Sequence, residues 1–166
     1  MRGQAREVSR WPFRVVSDAN VFVAASRKDH QEKAQKDGYP ESSCREFLRR
    51  WLSQQFSILS TLEILLELVE KLEDLGADRA KVKRLLEFIR DHAEEVRVVT
   101  RGPWCDDPDD DKYLAAALDG AASHLVSYDK KVLRARGEFP FRRMRTPGFL
   151  KDLREELKER TQAVST

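Results

Sequence analysis

Sulfur and imidazole are scarce in this chain, with two cysteines and three histidines among 166 residues. Cys44 and Cys105 are far apart and form no CxxC pair, which argues against a zinc ribbon or a disulfide scaffold. His30, His92 and His124 are too few and too scattered for a His-rich metal site. Both His92 and His124 sit near expected strand edges and read as structural. Seven glycines and six prolines without a period exclude collagen and low-complexity chains, and there is no internal repeat. No stretch approaches the ~20 apolar residues that span a bilayer, and the opening MRGQAREVSR lacks an apolar signal core. A soluble cytoplasmic protein with no membrane partner is the expectation. Net charge is also small, 31 Lys+Arg against 29 Asp+Glu, so only the distribution of charge can point to a polyanionic partner.

The chain is 40% hydrophobic, enough for one real core, and 36% charged against roughly 25% in an average soluble domain. One domain over residues 1–166 is expected, with its core at about 13–157 and flexible ends at 1–12 and 161–166. Arg14 to Val23 reads as a short buried strand, and Arg27 to Ser42 as a long polar loop. Ser42 or Ser43 would cap a helix with Phe47, Leu48, Trp51 and Leu52 inward. Phe56 to Leu59 is a second strand. Ser60-Thr61-Leu62-Glu63 has the spacing of a capping box, and the helix it opens carries Leu62, Leu65, Leu66, Val69 and Leu72 before Gly76 ends it. Asp78 would cap a further helix. Val96 to Val99 is a third strand, Asp110 to Ala122 an Ala-rich helix, His124 to Ser127 a fourth strand, and Phe141 to Met144 a last one. Pro147 opens a terminal helix with Phe149, Leu150, Leu153 and Leu157 inward, fraying from Thr161. Strands alternating with helices predict an α/β fold with a parallel sheet, whose sites lie at the carboxyl ends of the strands.

Acids fall at those ends. Asp18 follows Val15-Val16, where a buried carboxylate costs several kcal/mol unless it has partners. The plain alternative is a turn or cap residue, and Asn20 is either a cap or an amide that orients Asp18. Glu67 borders an apolar helical stripe, with Glu63 one turn earlier as its competitor. Asp106 to Asp111 places five carboxylates in six positions, more than a helix N-terminus requires, and a divalent cation is the natural remedy for their repulsion. Asp129 ends the fourth strand, where it could also cap a short basic helix from Lys130. Cys105 beside these acids is expected to have a raised thiol pKa and little nucleophilicity.

In order along the chain, Val15-Val16-Ser17-Asp18-Ala19-Asn20-Val21, Ser60 to Leu72 (STLEILLELVEKL), Asp107 through Ala117, and Leu125-Val126-Ser127-Tyr128-Asp129 resemble the motifs of PIN-domain ribonucleases. Arg145-Thr146-Pro147-Gly148-Phe149-Leu150 resembles a C-terminal signature of the VapC-like toxin branch of toxin–antitoxin pairs. The resemblance implies a three-layer α/β/α PIN-like fold with a central parallel sheet of four to five strands. It also implies an Mg²⁺- or Mn²⁺-dependent endoribonuclease holding one or two ions. Asp18, Glu67, Asp110 and Asp129 match the family's acids, with Asp111 and Asp107 as second choices for the third. Asn20 and Ser127 match supporting positions. The partners it implies are RNA, a cognate antitoxin and a second copy of the chain. Two departures stand out: Ala19 replaces a usual Thr, and the loop at 27–42 is longer than usual.

Residue chemistry agrees with that implication. Carboxylates that hold divalent ions can activate water and clamp the oxygens of a phosphodiester. Lys130, Lys131, Arg134 and Arg136, then Arg142, Arg143 and Arg145, give a local cationic excess suited to phosphate tracking. Trp104 could stack a base, although a core role is the stronger reading. A haloacid-dehalogenase-type phosphatase or phospho-receiver domain also places an Asp after its first strand. The phosphatase wants a second Asp two residues on, where Asn20 stands here. A non-catalytic PIN-like RNA-binding module is the third reading, and the presence of all four acids argues against it.

Overall fold

The computed structural model describes residues 12–26 and 41–165. Most of the expected loop at 27–42 and nearly all of the leader therefore lie outside the described residues. Five strands pair in parallel: β1 (Arg14–Ser17), β2 (Ser57–Ser60), β3 (Glu94–Glu95), β4 (His124–Val126) and β5 (Arg142–Met144), in the order β3-β2-β1-β4-β5. The chain builds outward from β1 to β3, then returns to lay β4 on the other side of β1. That reversal puts the switch in strand order at the carboxyl ends of β1 and β4, the place where open α/β sheets bind ligands.

Period-two alternation feeds two cores. Val15, Ile58 and Val126 enter one apolar cluster, while Val16, Leu59 and Leu125 enter another on the opposite face. The first is covered chiefly by α1 (Ala19–Ser26), α2 (Glu41–Leu52), α3 (Leu62–Asp74), α4 (Arg79–His92) and α7 (Thr146–Val164). The second is covered by α5 (Asp111–Asp119) and α6 (Lys130–Leu133). This is the three-layer α/β/α arrangement. Among the described residues no helix is long and apolar enough to cross a membrane.

Several elements differ from the sequence reading. The first strand stops at Ser17, because the Asp18 carbonyl accepts from the Val21 N–H at 3.1 Å and the chain turns into α1. Val21 through Ala25 are all buried, so this helix has no polar face to betray its period. Ser42 and Ser43 lie inside α2 rather than capping it. The capping frame at α3 is one residue later than expected: Thr61 is the N-cap, its hydroxyl accepting from the Ile64 N–H at 3.1 Å. Gly76, at φ 69°, does end that helix in the left-handed conformation, and Asp78 does cap α4. β3 is only Glu94–Glu95, since beyond Val96 the chain turns toward Asp119, whose carboxylate accepts from the Val99 and Thr100 N–H groups. A 3₁₀ turn at Pro108–Asp110 precedes α5, which ends at Asp119 rather than reaching Ala122. The terminal helix runs past Thr161 to Val164.

His124 is buried between Phe13 and Phe149, with Nε2 3.0 Å from Asp152, and burial pushes its pKa down. That is the expected structural role. Gly120 ends α5 in a tight place, where an added Cβ would stand 2.8 Å from both the Ala116 carbonyl and Leu59 Cδ1. Gly120→Ala should lower stability by about 1–3 kcal/mol through overpacking, read as a fall in the denaturation midpoint at unchanged m-value.

Candidate active site

Asp18 stands where β1 ends, and its N–H still donates to the Val126 carbonyl at 2.9 Å, so the sheet fixes its backbone. Its carboxylate is tied down on both oxygens. The Asn20 N–H donates to Oδ1 at 3.0 Å and the Ser127 hydroxyl donates to Oδ2 at 2.9 Å. Asn20 thus orients Asp18 through its backbone rather than through the amide considered from the sequence. Ser127 in turn accepts from the Asp129 N–H at 3.0 Å, linking the acids that end β1 and β4. Burial pushes the pKa of Asp18 up. The Asn20 N–H, the Lys71 charge and the Ser127 hydroxyl oppose that rise without cancelling it, and Glu67 adds to it.

Asp129 caps α6, its Oδ1 accepting from the Lys131 N–H at 2.9 Å. The acidic run divides by what each carboxylate holds. Asp107 caps the 3₁₀ turn through the Asp109 N–H at 3.0 Å and has Lys131 Nζ at 3.7 Å. Asp111 turns to the preceding loop, accepting from the N–H groups of Trp104 at 3.2 Å and Cys105 at 2.8 Å. Asp110 differs from both: its Oδ2 is buried without a hydrogen-bond partner. Burial raises its pKa to about 6, reinforced by repulsion from Asp129, Asp107 and Asp18 and only partly offset by Lys131. Of these three, Asp110 is the one with an oxygen that the local backbone leaves uncaptured, and the charges of Asp129 and Asp18 act on it.

Glu67 reaches the group from α3, and residues the sequence reading missed hold it. Lys71 Nζ lies 2.8 Å from Oε1, Lys112 Nζ lies 2.7 Å from Oε2, and the Tyr113 hydroxyl donates to Oε2. Burial alone would raise the Glu67 pKa, but the bonds from Lys112, Lys71 and Tyr113 outweigh it and hold the carboxyl at about 2. Lys71 stands one turn after Glu67, a spacing that signals a helical ion pair. Lys112 and Tyr113 directly follow the acidic run, where attention to the acids hid them. The competitor Glu63 is exposed in the first turn of α3.

The cationic frame is less uniform than its sequence. Lys130, Lys131, Arg134 and Arg136 are exposed on and after α6, with Arg136 3.1 Å from Asp106. Arg143 donates to the Val132 and Ala135 carbonyls and lies 5.0 Å over the Phe139 ring, so it braces the turn after α6. Trp104 packs edge-on against Phe139 at 6.0 Å, in the second core. Burial and the neighbouring Asp111, Asp110 and Asp129 push the Cys105 thiol up to about 12, which removes it as a nucleophile.

Among the described residues no group of three or more His, Cys, Asp or Glu side chains is placed so as to hold a metal ion. In chemistry alone, Asp18, Asp110 and Asp129 offer the oxygen donors a hard cation takes, and one Asp110 oxygen has no hydrogen-bond partner while like charges act on it. No curated protein matches the chain. A family model described as PIN domain matches residues 14–131, a span that runs from β1 into α6 and includes Asp18, Glu67, Asp107, Asp110, Asp111 and Asp129. The chain therefore belongs to the PIN-domain family, whose members are typically nucleases and generally use divalent metal ions.

Proposed function

We propose that this protein is a divalent-metal-dependent endoribonuclease that cuts single-stranded RNA in the cytoplasm, as the toxin of a toxin–antitoxin pair. The observation that carries the reading is the buried, unpartnered Asp110 oxygen, on which the charges of the acids at the ends of β1 and β4 act. Asp18, Asp110 and Asp129 would hold Mg²⁺ or Mn²⁺, with Glu67 completing the acidic group. When bound, such an ion lowers the pKa of a water and neutralises charge on phosphate oxygens. The chain's own residues do the positioning. Ser127 and the Asn20 N–H hold Asp18 in one orientation, and Ser127 carries that orientation to Asp129. Lys130, Lys131, Arg134 and Arg136 offset the acidic site for a polyanion and would track its phosphates.

The partners in this reading are a cognate antitoxin and a second copy. An apolar trench of about 600 Å³ lies between α3 and α4, lined by Leu62, Leu65, Leu66, Val69, Val82 and Leu86. The enzymatic reading is tested with end-labelled single-stranded RNA. Cleavage should rise with added Mn²⁺ and stop in excess EDTA. Undiminished cleavage in EDTA would overturn it.

A further inference from the structure

The acidic group is not evenly neutralised. On one side, both oxygens of Glu67 are taken by cations: Lys71 at 2.8 Å on Oε1 and Lys112 at 2.7 Å on Oε2, with Tyr113 donating as well. The Lys112 and Glu67 side chains keep only 14% and 19% of their exposure, so separating the pair would leave poorly hydrated charges. On the other side, Asp110 has an oxygen without a partner and three acids acting on it, and Lys131 is the cation that answers them. Lys131 is itself near Asp107, at 3.7 Å.

We infer that Lys71 and Lys112 fill the place of a second cation at Glu67, so that the group takes one divalent ion, on the side of Asp18, Asp110 and Asp129. The inference rests on the proposed metal-dependent reading and chooses one ion where that reading allows one or two. A second dication at Glu67 would have to displace two ammonium groups and would meet their repulsion. Two ammonium charges already exceed the single charge of Glu67, and the surplus acts on Asp18 from Lys71. An ammonium neutralises an oxygen as a second metal would, and it can donate to a phosphate. It cannot activate a water as a metal ion does, so that task stays on the Asp110 side.

The test reads metal binding without any turnover. Mn²⁺ is titrated into the full chain by calorimetry and followed by electron paramagnetic resonance, in which two ions about 3.5–4 Å apart couple and a lone ion does not. Wild type should bind one uncoupled ion in the site. Glu67→Gln should still bind one, since that residue is not among the ligands of this ion. Lys71→Met combined with Lys112→Met should bind two and show the coupled signal. A coupled pair in wild type overturns the inference, as does loss of the ion in Glu67→Gln or a single ion in the folded double variant. If the double variant fails to fold, wild type and Glu67→Gln still decide. No Mn²⁺ on the wild type would defeat the underlying metal-dependent reading itself, a different outcome from two.

Discussion

Asp18→Asn should cut Mn²⁺-dependent RNA cleavage by well over 100-fold and leave the fold in place. Loss of a group that only orients a metal ligand already costs about 10–100-fold, so loss of the charged ligand itself should cost more. The fold survives because the substitution preserves shape in a site that is 3% exposed. The side-chain oxygen of Asn can still accept from the Asn20 N–H, and the Ser127 hydroxyl can turn to accept from the new amide. Stability in the absence of metal should hold or rise at neutral pH. Burial has pushed the Asp18 pKa up, so the ionised carboxylate opposes folding there, and a neutral isostere removes that opposition. Single-turnover cleavage alongside a thermal melt separates the two effects. A folded Asp18→Asn protein that cuts at the wild-type rate would remove Asp18 from the reaction.

What the sequence reveals of this site follows from where charge is tolerated. An acid directly after buried valines must have partners, and Asp18 has the Asn20 N–H and the Ser127 hydroxyl. The same logic finds Asp129, and the parallel pairing of β1 and β4 brings both to one end of the sheet. Asp110 could not be separated from Asp107 and Asp111 by spacing alone, because the choice depends on which carboxylates the local backbone captures. The N–H groups of Trp104 and Cys105 capture Asp111, and that of Asp109 captures Asp107. Helix α1 was hidden for a different reason: a helix buried all round carries no amphipathic period, so its apolar residues read as strand. β3 was displaced toward Glu94–Glu95 because Val98 and Val99 are exposed and the Asp119 carboxylate takes the local N–H groups. A side chain some 20 residues away made that decision, beyond any local pattern. The lysines on Glu67 show the converse limit. Charge runs invite attention to the majority sign, while the minority residues decide how the charge is balanced.

Asp110 ties that balance to pH. With its pKa raised to about 6, a proton competes with the metal below that value, so Mn²⁺ affinity should fall about tenfold for each pH unit below 6. Burial pushes the Asp18 pKa in the same direction. Stability of the metal-free chain should move the opposite way. A carboxyl whose pKa lies at 3.8 when unperturbed and about 6 in the fold favours the folded state fully below the lower value. That contribution is lost as pH rises through the upper one, and Mn²⁺ restores it by binding the ionised form. Asp110→Asn should therefore raise metal-free stability above pH 6 and flatten the part of the pH–affinity curve owed to this residue. It should also reduce cleavage by at least about 100-fold, again exceeding the loss expected from an orienting group. Calorimetric Mn²⁺ titrations and thermal melts across that pH range, wild type beside Asp110→Asn, read all of these except cleavage. If wild-type affinity stays constant from pH 5 to 7, Asp110 is not where proton and metal compete, and the unpartnered oxygen loses its meaning as the metal-facing one.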